Sequence, residues 1–290
     1  MNHRRTTNLS NRSFRLVASA LCLALAAGAA SAAESSNTYT TSLAESWTKD
    51  GNIIVHGQAL TLPRGKVASS STTITRSGKS ATTDGTFTLP SGQTGTIAGT
   101  WNAANGVITG NTNYTGPNGE AVNRLTTMSK SGDITTREVV TTGPNGKTTT
   151  HNDTWTRDGN TVNRNSTTTL PSGKTASSTA SITKDGNTTT RTGSATGPNG
   201  KTSTSKDTWT RDGNTVNHSG TTTGVNGQQA TRQSTATKDG NTVNRTGTQT
   251  GPNGQSRTTQ DQVTKDGNTV TNKRTTSRSG KSKPAKRSPK

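Results

Sequence analysis

Acidic and basic residues recur beside tryptophan at a regular spacing, and these are the residues best suited to chemistry. With a two-residue hairpin loop, three such couples face each other on neighbouring strands: Asp153 with Arg164, Asp207 with His218, and Glu45 with His56. A carboxylate beside a histidine is a common general acid–base couple. A cross-strand ion pair that fixes the register of a sheet uses the same residue types. Because the couple returns in alternate units beside the same tryptophan, the sequence favours the structural role and predicts no catalytic residue.

Other kinds of site have little support in the sequence. His56, His151 and His218 lie in different repeats, and Cys22 is the only cysteine. Metal sites need several clustered ligands, and a nucleophilic serine needs a base and a strained turn. We therefore expect no metal, no cofactor and no small-molecule substrate, and we do not expect an enzyme.

A repeat of 27 residues organises the chain from about residue 38 to residue 272. One glycine series keeps this spacing without insertion: Gly65, Gly92, Gly119, Gly146, Gly173, Gly200, Gly227 and Gly254. Half a period away lies a second series, mostly within TKDGN or TRDGN. Apolar residues make up 22% of the chain, which is far below the roughly 45–50% of a typical globular domain. The strict register argues for an ordered repeat array over a disordered chain.

The two glycine series predict alternating turns. Pro-Asn-Gly favours a type I turn, and Asp-Gly favours a two-residue type I′ hairpin loop. The segments between them are rich in Thr, Ser and Val, which favour strands. The sequence predicts an all-β fold, namely an antiparallel meander of hairpins with some 18 strands. A β-solenoid with two strands per coil is the alternative.

Each predicted strand has two different faces. One carries an apolar column at 27-residue spacing: Trp47, Ile74, Trp101, Met128, Trp155, Ile182, Trp209, Ala236 and Val263. In the expected hairpin register, Trp155 lies directly opposite Val162. The other face is almost entirely hydroxyl, as in the run from Thr175 to Thr183.

The two ends differ from the repeat region, which spans residues 34–272. Residues 1–33 have an arginine-bearing start, an apolar run and a small-residue stretch ending at Ala33, which predicts a cleaved signal peptide. A membrane anchor is the alternative, although the apolar run is shorter than a spanning helix. Residues 273–290 predict a disordered basic tail that binds polyanions. Its proposed contact residues are Lys273, Arg274, Arg278, Lys281, Lys283, Lys286, Arg287 and Lys290.

These features lead to an expected function. The sequence favours an exported structural or adhesive protein in the periplasm, at the cell surface or in the extracellular matrix, with a tail that binds extracellular DNA, anionic polysaccharide or lipid headgroups. Self-assembly into a β-rich, amyloid-like fibre is the alternative, because an open meander has two free edges. A lesser alternative is binding of ice or polysaccharide through the threonine array.

Overall fold

The computed structural model describes residues 39–279, which form eighteen β-strands. A short 3-10 turn, Pro63–Gly65, lies between the second and third strands. The strands are β1 Tyr39–Asp50, β2 Ile53–Thr61, β3 Val67–Ser77, β4 Ser80–Thr88, β5 Thr94–Ala104, β6 Val107–Thr115, β7 Ala121–Ser131, β8 Ile134–Thr142, β9 Thr148–Asp158, β10 Thr161–Thr169, β11 Thr175–Asp185, β12 Thr188–Thr196, β13 Thr202–Asp212, β14 Thr215–Thr223, β15 Gln229–Asp239, β16 Thr242–Thr250, β17 Ser256–Asp266 and β18 Thr269–Ser279. The repeat boundary predicted at residue 272 thus falls inside β18.

Every strand pairs in antiparallel fashion with the next strand along the chain, and β18 pairs with β1. The predicted antiparallel meander is therefore confirmed, but it closes into an eighteen-stranded barrel. A solenoid does not fit, because its stacked coils would place parallel neighbours beside each other. Closure also satisfies the backbone groups that an open sheet would expose at its first and last strands. The free edges expected from the sequence are absent from the described barrel.

The 27-residue period corresponds to a ninefold pseudo-rotation of this barrel. Asp153 lies opposite Arg137, and Asp207 lies opposite Arg191 at the equivalent position one double repeat later. The same position in β1, Glu45, lies opposite Asn272 of β18. The pairing of β18 with β1, which we call the seam, has the same register as the pairing of consecutive strands. Equivalent residues therefore return to the same level along the barrel axis after one full circuit. Residues 27 positions apart therefore form a ring at one level, and a ring can contain nine residues.

The tight hairpins are shifted from the predicted register. Asp158 pairs with Thr161, so that Gly159 and Asn160 form the two-residue loop. Gly159 has a φ of 52°, whereas Asn160 has no positive φ, and this combination matches a type II′ turn with glycine first. The sequence predicts Asp158 and Gly159 as the loop, so the observed loop lies one residue further along the chain. Trp155 consequently lies opposite Arg164, and not opposite Val162. A shift of two residues leaves every side chain on its predicted face.

One face of the strands points into the barrel. All of the buried residues lie on the face that carries the tryptophans, including Ile74, Phe87, Asp153 and Asp207. Side chains that point into a closed barrel converge and cover one another, whereas those that point outward diverge. Interior and exterior residues alternate along each strand of a barrel. The tryptophan face is therefore the inward face, and the hydroxyl face is the outward face.

Candidate functional site

A belt of charged and polar residues crosses the inward face at mid-height. It consists of two interleaved rings, one on the odd-numbered strands and one on the even-numbered strands. The acidic members of the first ring are Glu45, Asp153, Asp207 and Asp261, and the basic members of the second are His56, Arg137, Arg164, Arg191, His218 and Arg245. We call these ten residues the charge belt. The belt contains all three of the acid–base couples identified in the sequence.

Asp153 is the most fully enclosed acid of the charge belt, with a fully buried side chain. Arg164 donates from Nε at 2.9 Å and from Nη2 at 2.6 Å to its Oδ1. Arg137 binds the other carboxylate oxygen through Nε and Nη2, and His151 Nε2 lies 3.1 Å from the same oxygen. The guanidinium groups also flank Trp155, at 5.4 Å and 5.6 Å from the ring centroid. These contacts hold one carboxylate between two guanidinium groups and leave it no freedom to act as a base.

Asp207 is surrounded in a related way. His218 Nε2 lies 2.9 Å from Asp207 Oδ1, and Arg232 donates to both carboxylate oxygens, from Nε at 2.6 Å and from Nη2 at 2.8 Å. Arg232 reaches across the intervening strand because the residue between them is Gly220. A Cβ atom at that position would overlap the Asp207 carboxylate and would lie 2.7 Å from Arg232 Nε. Glycine is therefore required here for a bidentate ion pair that spans two strands.

The first member of the charge belt lies at the barrel seam. His56 Nε2 is 3.0 Å from Glu45 Oε1, and Gln58 donates to the same oxygen at 2.8 Å. His56 is completely buried and stacks on Trp47 at 3.6 Å between ring centroids. His218 stacks in the same manner on Trp209, at 4.7 Å. Trp47, Trp155 and Trp209 thus pack on basic neighbours, whereas the sequence predicts packing on β-branched residues. Trp101 lies opposite Gly110 instead.

The members of the three couples predicted from the sequence contact each other, but they are not directly opposite. The residues opposite the acids on the following strand are Gln58, Ser166 and Gly220. Each predicted base reaches its acid diagonally, because the hairpin register differs by two residues. The cross-strand contacts of these couples fit the structural role that the sequence favours over an acid–base role.

A second ring of charge lies at the barrel mouth that contains the tight hairpins. Eight of the nine inward positions just before these loops are basic, and the exception is Ala103. We call these residues the basic rim: Lys49, Arg76, Lys130, Arg157, Lys184, Arg211, Lys238 and Lys265. Except for half-buried Arg76, their side chains are exposed. Neighbouring members lie two strands apart, or about 10 Å at the usual strand spacing.

Charge is divided unequally between the two faces of the described strands. The only inward acids there are the four of the charge belt, whereas the inward basic residues include the basic rim, the four belt arginines, and Arg124, Arg232, Arg257, Arg274 and Arg278. Outward charges in the same strands are mainly acidic: Asp50, Asp84, Glu138, Asp158, Asp185, Asp212, Asp239 and Asp266. The interior is therefore strongly positive, and the exterior is weakly negative.

The outward face has two sectors. From β9 to β18 its strand positions carry only hydroxyl, amide and charged side chains. The exposed apolar residues of this face lie between β2 and β8: Ile53, Val55, Val67, Leu125 and Ile134. Outer-membrane barrels have an outward apolar band about 25 Å tall around their whole circumference. This barrel has no such continuous band in the described strands.

The residues predicted to bind polyanions are divided by the structure. Lys273, Arg274 and Arg278 belong to β18, and Arg274 points inward to Asp261. The other predicted residues, from Lys281 to Lys290, lie outside the described part of the chain, as do residues 1–33. The glycine series from Gly65 to Gly254 has positive φ angles in the longer turns, as expected. The sequence interpretation missed the basic rim, although its signal is the Lys or Arg that precedes Asp-Gly in TKDGN and TRDGN.

Within residues 39–279, no group of three or more His, Cys, Asp or Glu side chains is arranged to hold a metal ion. In the same range, no helix has the length and apolar character needed to cross a membrane.

Comparison with known proteins identifies only the fold. No protein-family model matches the sequence, and no curated protein matches it. A variant of the Rh. blastica porin superimposes with a TM-score of 0.53 at 8% identity, over 83% of this chain and 98% of that one. The fold is porin-like. Pseudomonas aeruginosa OccK1 (OpdK) gives a TM-score of 0.46 at 7% identity over 83% of this chain and 97% of that one, and OpdO gives 0.44 at 8% over 83% and 96%.

The porin-like barrel overturns the function expected from the sequence. The expectation of an adhesive or structural matrix protein, or of a fibre, is wrong, because the sheet closes on itself into a porin-like barrel. The expected partners were polyanions and other copies of the chain, with no small-molecule substrate, and this expectation is wrong as well. Porin barrels of about this strand number enclose an aqueous lumen. The candidate functional surface is therefore the interior of the barrel, and not the outward threonine array.

Proposed function

We propose that this chain forms a porin-like channel that admits small anionic solutes through the basic rim into a water-filled lumen. The observation that carries the proposal is the basic rim, in which eight of nine equivalent inward positions are Lys or Arg. Rings of Lys or Arg select anions in pores. The rest of the lumen has the same sign, since its basic residues far outnumber its four acids.

Electrostatic focusing explains how such an interior would act. A passage lined by charge of one sign, with walls of low dielectric constant, concentrates counter-ions and raises their entry rate by about 10–1,000-fold. The rim side chains are exposed and separated by about 10 Å, so each can meet a solute independently. At the next level, the charge belt neutralises part of the charge and would prevent anions from binding too tightly to pass.

The proposed location is the cell envelope. The first 33 residues predict export, and a porin-like barrel accords with the outer membrane if polar groups, and not acyl chains, surround β9–β18. A channel also agrees with the absence of an enzyme motif from the sequence. The outward face of β9–β18 requires a polar environment around that part of the barrel.

Tryptophan fluorescence tests anion entry directly, because all four tryptophans of the chain lie on the inward face. At low ionic strength we expect iodide to quench the protein several-fold more strongly than caesium, after both are normalised to free tryptophan amide. The difference should disappear at about 1 M salt, where the Debye length falls to about 3 Å. Equal quenching by iodide and caesium at low salt would refute an anion-selective lumen.

Two variants that remove charge from different faces assign the effect to the basic rim. Changing Lys184, Arg211, Lys238 and Lys265 together to Gln should remove most of the preference for iodide. Changing the outward Lys206 and Lys273 to Gln should leave it intact, although the net charge also falls. If both variants lose the preference in proportion to their charge, the rim has no special role.

A further inference from the structure

Four arginines converge on one small cavity of the inward face between β14 and β18. The cavity has a volume of about 210 Å³, and its lining includes Arg232, Arg245, Arg257, Arg274 and Asp261. Pockets for drug-sized ligands measure roughly 300–1,000 Å³. This cavity therefore suits an ion or a small molecule. We call it the arginine pocket.

The strand register builds the arginine pocket from three adjacent rows. The middle row contains Ser234, Gly247 and Thr259, which are directly opposite one another on β15, β16 and β17. These short side chains form a floor. At Gly247 a Cβ atom would lie only 3.0 Å from the Ser234 Cβ, so a larger residue there would press on the floor.

The two outer rows form cationic walls. One row contains Arg232, Gln249 and Arg257, and it continues to Arg278 on β18. The other contains Arg245, Asp261 and Arg274. The planar guanidinium groups of the walls present several N–H donors across the small floor. Such an arrangement suits a multiply charged oxyanion, because arginine binds carboxylate and phosphate in bidentate fashion.

The charges in the arginine pocket are not balanced by its own acid. Asp261 is shared: Arg274 donates to both of its carboxylate oxygens, from Nε and, at 3.3 Å, from Nη2, and Arg245 Nη1 lies 3.8 Å away. Arg232 is paired outside the pocket, with Asp207. Among the described residues, no carboxylate lies within ion-pair distance of Arg257, and Arg257 is directly opposite Arg278. Like charges directly opposite on neighbouring strands are destabilising, and a bound anion would relieve this repulsion.

From this geometry we infer that the arginine pocket binds a phosphate group, either as inorganic phosphate or as a small phosphate monoester. The inference rests on the proposed anion channel and adds a substrate class to it. A phosphate dianion offers enough oxygens to meet Arg257 and the free donors of Arg245 at once. The Thr259 hydroxyl of the floor lies in the same cavity and supplies a further donor. Ser234 Oγ accepts from Arg245 Nε at 3.3 Å and so helps to position that guanidinium group.

Calorimetric titration of the full barrel with inorganic phosphate tests the site, with glycerol phosphate as the monoester arm and acetate as the monoanionic control. We expect phosphate to bind, acetate to bind at least about tenfold more weakly, and Arg257→Gln to weaken phosphate by about tenfold or more. Arg257→Lys should recover part of the affinity. Lys273→Gln, which removes the same charge from the outward face of β18, should not change it.

The outcomes separate the pocket from the channel. Unaltered phosphate affinity in Arg257→Gln, or an equal loss in Lys273→Gln, would overturn the pocket. If iodide still quenches the tryptophans preferentially in that case, the anion channel stands without a phosphate site. Binding of inorganic phosphate alone would identify the free ion as the ligand, and comparable binding of glycerol phosphate would extend the site to monoesters.

Discussion

Asn272 lies directly opposite Glu45, and its Nδ2 donates to Glu45 Oε2 at 3.5 Å across the seam of the barrel. These residues are 227 positions apart, yet their register matches the joints between strands that are consecutive in the sequence. The seam is therefore an ordinary joint of the repeat. Nine equivalent units close into a barrel because each turns the chain by the same angle about the barrel axis and adds no displacement along that axis.

A disulfide across the seam should form within a single chain. Thr48 pairs directly with Thr269, and their Oγ1 atoms are 3.1 Å apart. Neighbouring Cβ atoms of such pairs lie about 4.5–5.5 Å apart, close to disulfide geometry. We expect Thr48→Cys with Thr269→Cys, in a Cys22→Ser background, to oxidise to a monomer that migrates faster on non-reducing electrophoresis.

The control places the second cysteine away from the seam. Thr48→Cys with Thr167→Cys joins β1 to β10, which are not neighbours in the barrel, and it should not cross-link within a chain. Intermolecular dimers from the seam pair, without any internal cross-link, would indicate an open sheet.

Much of the wall of the barrel follows from the sequence. The glycine spacing predicts the strands, and the alternation of Trp155 with hydroxyl residues predicts which side chains share a face. Closure does not follow from these patterns, because an open meander and a barrel have the same local register. What decides between them is the count of nine units together with the twist per strand, and neither leaves a local signal.

The functional surface was harder to predict for a related reason. Lys184 and Asp185 are adjacent in the sequence and resemble an ordinary charged turn, but alternation sends one side chain into the barrel and the other outward. Only closure makes the inward residues converge into the basic rim. The absence of acids from the last residues predicts a tail that includes Arg274, whereas its partner Asp261 lies on the preceding strand.

Neutralising Asp153 should destabilise the barrel. Asp153→Asn would leave Arg137 and Arg164 facing a neutral amide, although both now bind this fully buried carboxylate. Hydrogen bonds to charged groups contribute about 1.5–3 kcal/mol each, and a buried group that loses its partner adds a desolvation penalty. We expect the free energy of unfolding to fall by about 2 kcal/mol, as measured by urea denaturation.

Asp185→Asn is the matched control for this change. It removes the same charge from an exposed outward position, where a change of less than about 0.5 kcal/mol is expected. Equal losses in the two variants would mean that overall charge, and not the Asp153 ion pairs, sets the stability.

Gly220→Ala should separate Asp207 from Arg232. The added methyl group would overlap the Asp207 carboxylate, so the bidentate pair across β14 must open. Overpacking of this kind destabilises by about 1–3 kcal/mol. The melting temperature should fall, whereas Gly143→Ala, whose nearest contact would be an ordinary 3.4 Å, should have little effect. A melting temperature unchanged by Gly220→Ala would show that the pair contributes nothing to the fold.

The outward face makes a prediction about lipid. Between β9 and β18 its strand positions lack apolar side chains, while Ile53, Val55 and Leu125 form part of an apolar sector elsewhere. A polar group moved into hydrocarbon without a partner is strongly disfavoured, so plain acyl chains cannot cover the hydroxyl sector. We expect the purified barrel to remain unbound in flotation with phosphatidylcholine vesicles. Replacing outward Thr154, Thr179, Thr190 and Thr208 by Leu should bring it to the vesicle fraction. Spontaneous insertion of the unmodified barrel would show that its hydroxyl face tolerates lipid, and the outer membrane alone would then suffice to surround the channel.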